Sequence, residues 1–392
     1  MTTQKKNGQF NNGRVFATAI FFVVIVTFTI ISIVKPKSDF SEAENRALQE
    51  LPDLTADAVM MGEFQQQYED YLSDQFIGRE FFVNLTNQIM LATGKQDVNS
   101  VYLGAEDYLI EKYTMADFDE ELVSDNIWYL SEYLLEMQDV YGKEHVQCML
   151  VPSKGTVYKD YLPKHAVPLD TSYVVEELSV ALGDENAVLD LTEVLSEHSE
   201  ESVYYKTDHH WTTLGAYYGY VAYKNLRGEE ATAHTEYQVT AVTNDFYGST
   251  YDKVQIKKQA DSIHTYSLGE SKDLHIEYDD GMMTADTYYD ESYLDVKDKY
   301  SYFLGGNFAK VKITTGTKNG KCLLLIKDSF SNSFVQFLEN DYETIYMIDL
   351  RYTEGDMKTI MKGIQSEQKI TDVLVMYNTE KLMQDDSLWK LE

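Results

Sequence analysis

The chain reads as an α/β protein, with one membrane-spanning helix ahead of a mainly parallel sheet that helices cover on both faces and a β-rich insertion interrupts. Three observations predict this. Compact apolar runs recur along residues 145–377; helical stretches separate several of them; and one uncharged apolar run stands near the N-terminus. Buried parallel strands read as continuous apolar runs, and strands alternating with helices indicate a sheet covered on both sides.

The N-terminal run, "VFATAIFFVVIVTFTIISIV" at 15–34, is 20 residues long, enough to cross a bilayer as a helix. It is longer than a signal-peptide core and no A-x-A-like cleavage site follows, so it reads as an uncleaved anchor. Lys5, Lys6 and Arg14 before it favour a cytoplasmic N-terminus, against Lys35 and Lys37 after it. The expected organisation is a cytoplasmic tail (1–14), a transmembrane anchor (15–34), a juxtamembrane linker and helical segment (35–98), and an α/β domain (99–392) with its insertion at about 240–320. Within 56–93, apolar residues at helical spacing predict a helical pair. "VYLGAEDYLIE" then reads as a short hairpin and 117–141 as an amphipathic helix. Strands are expected at 145–152, 187–191, 322–328, 343–349 and 372–377. Helices are expected at 173–182, 212–227, 330–340 and 356–366. The insertion is rich in Tyr and Asp and shows no convincing helix; it reads as an excursion or lid, either a solvated one or a sugar-facing platform.

Composition excludes some classes. With 65 acids against 33 bases the formal charge is −32, which repels nucleic-acid backbones and suits an extracytoplasmic surface. The cysteines, Cys148 and Cys322, lie in apolar runs without metal-ligand spacing, and buried free thiols are expected over a bridge between neighbouring strands. No P-loop, dinucleotide-binding glycine motif or zinc spacing appears, so neither cofactor nor metal is expected.

The chemistry concentrates in "TDHHW", residues 207–211. In an extended segment, Asp208 and His210 share one face and His209 takes the other. The carboxylate can then fix the tautomer of His210 and leave its second nitrogen as a base. Trp211 would cover the pair, and Thr212 or Thr213 would cap the following helix. A nucleophile is offered by "CLLLIKDSFSNSF", where Ser329 follows an apolar strand and precedes a helix, at the sheet edge where open α/β folds keep their sites. Ser331 and Ser333 would lie inside that helix. The alternative is that Ser329 only caps it.

"DHHW", with "SEAENRALQELP" upstream and "IKDSFSNSFVQFLENDYETIYMIDLRY" and "DVLVMYN" downstream, closely resembles the DHHW protein family across roughly residues 38–380. That family is similar to the SGNH-hydrolase-like proteins of alginate O-acetylation, of the AlgJ/AlgX type. The resemblance implies an SGNH-like three-layer α/β/α domain with Asp208, His210 and Ser329 as the catalytic set, in that chain order. It also implies a multi-spanning membrane acyltransferase partner that exports acyl groups to a surface polymer. The chain has "KDS" and D-x-H where ordinary SGNH enzymes have "GDS" and D-x-x-H. Candidates for the oxyanion or substrate contacts are Gly306, Asn307 and Asn378; Arg351 and Tyr352 could position an acyl or sugar group, or Arg351 could pair with an acid. Three functions follow: a membrane-anchored O-acyltransferase (an O-acetyltransferase foremost) acting on a cell-envelope polysaccharide; a surface carbohydrate esterase; or a non-catalytic polysaccharide-binding or assembly component.

Overall fold

The computed structural model describes residues 7–41, 46–184, 187–256, 258–269 and 273–392. It divides into two units, Met1–Gly94 and Lys95–Glu392. The first unit contains a helix over Asn7–Val34, whose window Gly13–Ser32 has a mean hydropathy of 2.6, long and apolar enough to cross a bilayer. Where the periodicity predicts two helices, three follow: Ala56–Met61, Glu63–Asp74 and Arg79–Ala92. The extra break lies at Gly62, whose φ of 82° ends the first of them in the left-handed conformation glycine adopts without strain.

The second unit is organised by an eight-stranded sheet. In chain order its strands are β1 (Val146–Val151), β2 (Val188–Asp190), β3 (His275–Tyr278), β4 (Met283–Ala285), β5 (Lys310–Thr314), β6 (Cys322–Lys327), β7 (Thr344–Ile348) and β8 (Asp372–Asn378). Across the sheet they run β4-β3-β5-β7-β6-β8-β1-β2. The five strands read from apolar runs, β7-β6-β8-β1-β2, are parallel throughout. Every residue of β1, β6, β7 and β8 is buried, as a sheet covered on both faces requires.

Alternate residues of these strands feed two cores. Cys148, Leu324 and Val375 pack with helices Glu120–Tyr141, Ser172–Leu182 and Met357–Glu367; Met149, Leu325 and Met376 pack with helix Thr213–Leu226 and the segment 330–338. The domain is therefore a helix–sheet–helix sandwich, as expected. The stretch read as one helix at 330–340 is an α-helical turn, Ser331–Phe334, tightening into a 3-10 turn, Val335–Leu338.

The insertion departs from the expectation in two ways. It is no lid apart from the core: β3, β4 and β5 extend the central sheet, with β5 antiparallel to β7 in the register Lys310↔Ile348. The alternation in "KVKIT" explains this, since Val311 and Ile313 are buried while the lysines and threonine are half-buried, the pattern of an antiparallel strand with one dry face. It also contains a helix, Ser249–Val254, between the hairpin strands Gln238–Phe246 and Asp261–Ser267.

Cys148 on β1 and Cys322 on β6 are both buried and free, and β8 runs between their strands. Two strand spacings, about 9–10 Å, exceed what a disulfide can bridge. Burial pushes both thiols up to about 12. A thiol-reactive chromophore should therefore label neither cysteine in the native protein and both in denaturant; rapid native labelling of either would contradict this packing.

Candidate active site

The D-x-H segment is not extended. Tyr204 and Trp211 pair antiparallel, closing residues 204–211 into a loop directly ahead of helix Thr213–Leu226, which Thr212 caps through its hydroxyl on the Gly215 N–H. The reason is local: Asp208 Oδ1 accepts from the backbone N–H of His210 at 2.9 Å, a side-chain turn that competes with strand formation. The same oxygen accepts from His210 Nδ1 at 2.6 Å. The other, Oδ2, accepts from the Ser249 N–H at 2.8 Å and from its hydroxyl at 3.0 Å. Burial alone would raise the Asp208 carboxyl, but the His210 imidazole beside it and the hydrogen bonds it accepts hold it well below the usual carboxylate range. An ionised carboxylate only accepts, so His210 carries its proton on Nδ1 and presents Nε2 as an acceptor. Nε2 lies 2.7 Å from Ser329 Oγ.

Ser329 sits at the carboxyl end of β6. Between Cys322 and Leu338 it is the single residue that is not buried. Asp328 shapes its turn, one carboxylate oxygen accepting from the Phe330 N–H (2.9 Å) and the other from the Asn378 N–H (2.7 Å). Among the described residues the Ser329 N–H makes no hydrogen bond. Ser331 and Ser333 are buried within the turn, as expected.

Trp211 joins the two halves of the site. Its indole N–H donates to Phe330 O and to Ser333 Oγ, each at 3.0 Å, so it latches the D-x-H loop onto the nucleophile segment in addition to covering the pair. His209 does not point away as an extended strand would require. Its ring lies 3.8 Å from that of His210, and its Nδ1 bonds Ser249 Oγ at 2.6 Å. Burial pushes its imidazole down to about 3, which keeps it neutral. Asp208, His209 and His210 bring ligand atoms within 4.8 Å of one another, but these atoms are already committed to hydrogen bonds with Ser249, Ser329 and each other.

The insertion supplies residues that reading the sequence missed. Tyr300 stacks on His210 with ring centroids 3.7 Å apart and planes 6° apart, and its hydroxyl donates to Ser329 O at 3.2 Å. Asp261 accepts from the N–H groups of Lys206 and Thr207 at 2.7 Å each and from the Thr207 hydroxyl at 2.6 Å. A Cβ on Gly248 would stand 2.3 Å from the Asp208 Cβ, so only glycine fits there. No local motif marks these positions; a Tyr-rich, acidic stretch is their only signal.

Most of the remaining sequence candidates make structural contacts, although the Asn307 Nδ2 has no hydrogen-bond partner among the described residues. Asn307 Oδ1 accepts from Lys327 Nζ and from Asn332 Nδ2, each at 3.0 Å. Gly306 accepts from Asn332 Nδ2 through its carbonyl at 3.2 Å and donates its N–H to Phe303 O. Asn378 caps helix Thr379–Gln384 and donates Nδ2 to Val151 O. Arg351 forks onto Asp349 at 2.8 and 2.6 Å, the acid-pairing alternative, and Tyr352 is exposed beside it. Lys327, fully buried, also reaches Asp349 at 3.3 Å, so its charge is compensated directly behind Ser329.

Residues 173–348 match the model of the DHHW protein family. The resemblance read from the sequence is thereby borne out over a span holding both the DHHW and DSF blocks, narrower than the 38–380 over which the sequence suggests it. A DHHW family protein from Eubacterium siraeum has a similar structure, with TM-score 0.61 and 22% identity over 75% of this chain and 95% of that one. Bacillus cereus PatB1, solved with a sulfonyl adduct, matches with TM-score 0.58 and 20% identity over 74% of this chain and 98% of that one. The O-acetyltransferase domain of Pseudomonas putida AlgJ is more distant, with TM-score 0.46 and 16% identity over 74% and 97% of the two chains. At such identities the first two likenesses show the fold, a mixed α/β domain with a mainly parallel sheet. No curated protein matches the chain.

Beside the site, helix Thr379–Gln384 carries Glu380, wholly buried; burial pushes its carboxyl from 4.5 up to about 7, only partly offset by the Ser153 hydroxyl and its own backbone. A raised folded pKa means the native state holds the proton more tightly, so stability falls as pH rises from the unfolded value through about 7. That shift corresponds to about 3 kcal/mol. Glu380→Gln should therefore be more stable than the parent by up to about 3 kcal/mol at pH 8 and nearly equal to it at pH 4, read by denaturant unfolding. A variant less stable than the parent at pH 8 would contradict the burial argument.

Proposed function

We propose that this protein is a membrane-anchored, extracytoplasmic O-acyltransferase, an O-acetyltransferase in the simplest case, that modifies a cell-envelope polysaccharide. The observation that carries the reading is the continuous relay Asp208–His210–Ser329, with links of 2.6 and 2.7 Å, at the carboxyl end of a parallel strand. An SGNH-hydrolase-like assignment of the domain belongs to the same proposal, supported by the match to the DHHW model.

In this scheme Ser329 Oγ attacks the acyl carbonyl while His210 Nε2 takes its proton. The Ser329 N–H stabilises the developing oxyanion. Collapse expels the donor's leaving group, which receives the proton from His210, and leaves an ester on Ser329. A sugar hydroxyl then enters, gives its proton to His210 and attacks the ester; collapse returns the proton to Ser329 and releases the acylated sugar. Asp208 stays ionised throughout and stabilises the imidazolium. Tyr300, stacked on the ring, holds its plane. Asp349–Arg351 and the Gly306–Asn307 turn act as supports, with Tyr352 left as a substrate contact at the rim.

The apolar helix supports a single-pass anchor with a cytoplasmic N-terminus. The polysaccharide acceptor and a multi-spanning acyl-donor partner follow from the family resemblance. Water as the acceptor would make the same relay a surface esterase, so the test must follow products. With an activated acetyl ester and a sugar acceptor, acetylated sugar should form in the parent, and Ser329→Ala and His210→Ala should each lower turnover at least about a thousandfold with the fold intact. Acetate as the sole product would favour the esterase; unchanged turnover in both variants would exclude the relay.

A further inference from the structure

A cleft of about 700 Å³ lies on the insertion side of the same domain and takes no part in the relay. It falls within the size range of small-molecule sites. Tyr237, Tyr266 and Tyr289 give it aromatic walls, and Asp286 and Asn340 give it a carboxylate and an amide. Among the described residues that line it there is no lysine, arginine or histidine.

Its place follows from the topology. Gly316 and Thr317 precede β6 and Asn340 precedes β7, so the cleft opens near the amino ends of the parallel strands, whereas Ser329 stands at the carboxyl end of β6. Gln336 is seven residues beyond Ser329 on the intervening helical segment, about 10 Å along its axis. The walls are preset. The Tyr266 ring packs against those of Tyr237 (5.8 Å) and Phe337 (5.5 Å), and the Tyr289 hydroxyl donates to Gln336 Oε1 at 2.5 Å.

Rigid aromatic faces beside a carboxylate and an amide suit pyranose rings, which stack through their C–H faces and hydrogen-bond through their hydroxyls. The sign of the charge narrows the class. Asp286, exposed on a chain of net charge −32, disfavours uronates and sulfated sugars relative to neutral and amino sugars, even with His275 Nδ1 3.4 Å from it. We propose that this cleft is a second saccharide-binding site, for a neutral or amino-sugar stretch of the polymer whose hydroxyls Ser329 acylates. This rests on the polysaccharide reading above. Binding here leaves the relay open and tethers the polymer, raising its effective concentration at Ser329.

The test uses the full-length protein in detergent, with titration calorimetry against hexasaccharides of N-acetylglucosamine, glucosamine and galacturonic acid. Ser329→Ala keeps the relay silent during binding. Saturable binding of one of the first two, and none of the third, is expected; Thr287→Trp, which fills the cleft from an exposed position, should weaken it about tenfold or more. Asp286→Asn, also exposed, should leave neutral-sugar binding measurable and weaken the discrimination against galacturonate. Circular dichroism melting checks the fold of both variants. No saturable binding in folded protein, binding untouched by Thr287→Trp, or a preference for galacturonate would each overturn the proposal. Labelling of Ser329 in the parent, measured separately, distinguishes loss of this site from failure of the acyl-transfer reading.

Discussion

The buried carboxylate of Asp208 is the constraint on which the site depends. An ion removed from water costs several kcal/mol unless its lone pairs are met. Here four donors meet them: the His210 backbone and ring, and the Ser249 backbone and hydroxyl. Two come from the D-x-H loop and two from the insertion, so neither segment satisfies the charge alone. Gly248 lets the two backbones approach, and Asp261 binds the loop to the insertion's hairpin from the other side.

This accounts for the build of the domain. The parallel strands place Ser329 at a sheet edge, but a serine there is only a weak nucleophile. In the proposed relay its base arrives on a loop that could sit in many ways; Trp211 fixes that loop to the Ser329 segment and Tyr300 closes over the imidazole. Helix and sheet thus position Ser329, while the insertion supplies two of the donors that meet the Asp208 charge. The fully buried Lys327, compensated by Asp349 and bonded to Asn307 and Asn332, ties a further turn of the insertion to the strand behind Ser329.

The sequence disclosed the parts whose physics is local. Runs such as "CLLLIK" and "VQCMLV" are buried on both faces and could be little else, and the strand-Ser-helix block placed Ser329 where it stands. The D-x-H pairing was legible too, though by the wrong geometry: Asp208 and His210 meet through a side-chain turn, with His209 against its neighbour instead of on the opposite face. What stayed hidden depends on distant contacts. Nothing near Tyr300, Ser249 or Asp261 in the chain announces His210 or Asp208. The "KVKIT" strand joined the central sheet because a partner strand lay open beside it, which no local pattern reveals. Gly306, Asn307 and Asn378 stood out as candidate oxyanion donors; the Gly306 N–H and the Asn378 amide are spent on the scaffold, as is the Oδ1 of Asn307.

The central claim is that His210, oriented by Asp208, activates Ser329, and covalent trapping tests it most directly. The parent, His210→Ala and Ser329→Ala would each be treated with an aryl sulfonyl fluoride, and the adduct located by peptide mass spectrometry. The relay predicts one stoichiometric adduct on Ser329 in the parent and at least about a hundredfold slower labelling in His210→Ala. Equal labelling of parent and His210→Ala, or an adduct elsewhere than Ser329, would contradict it.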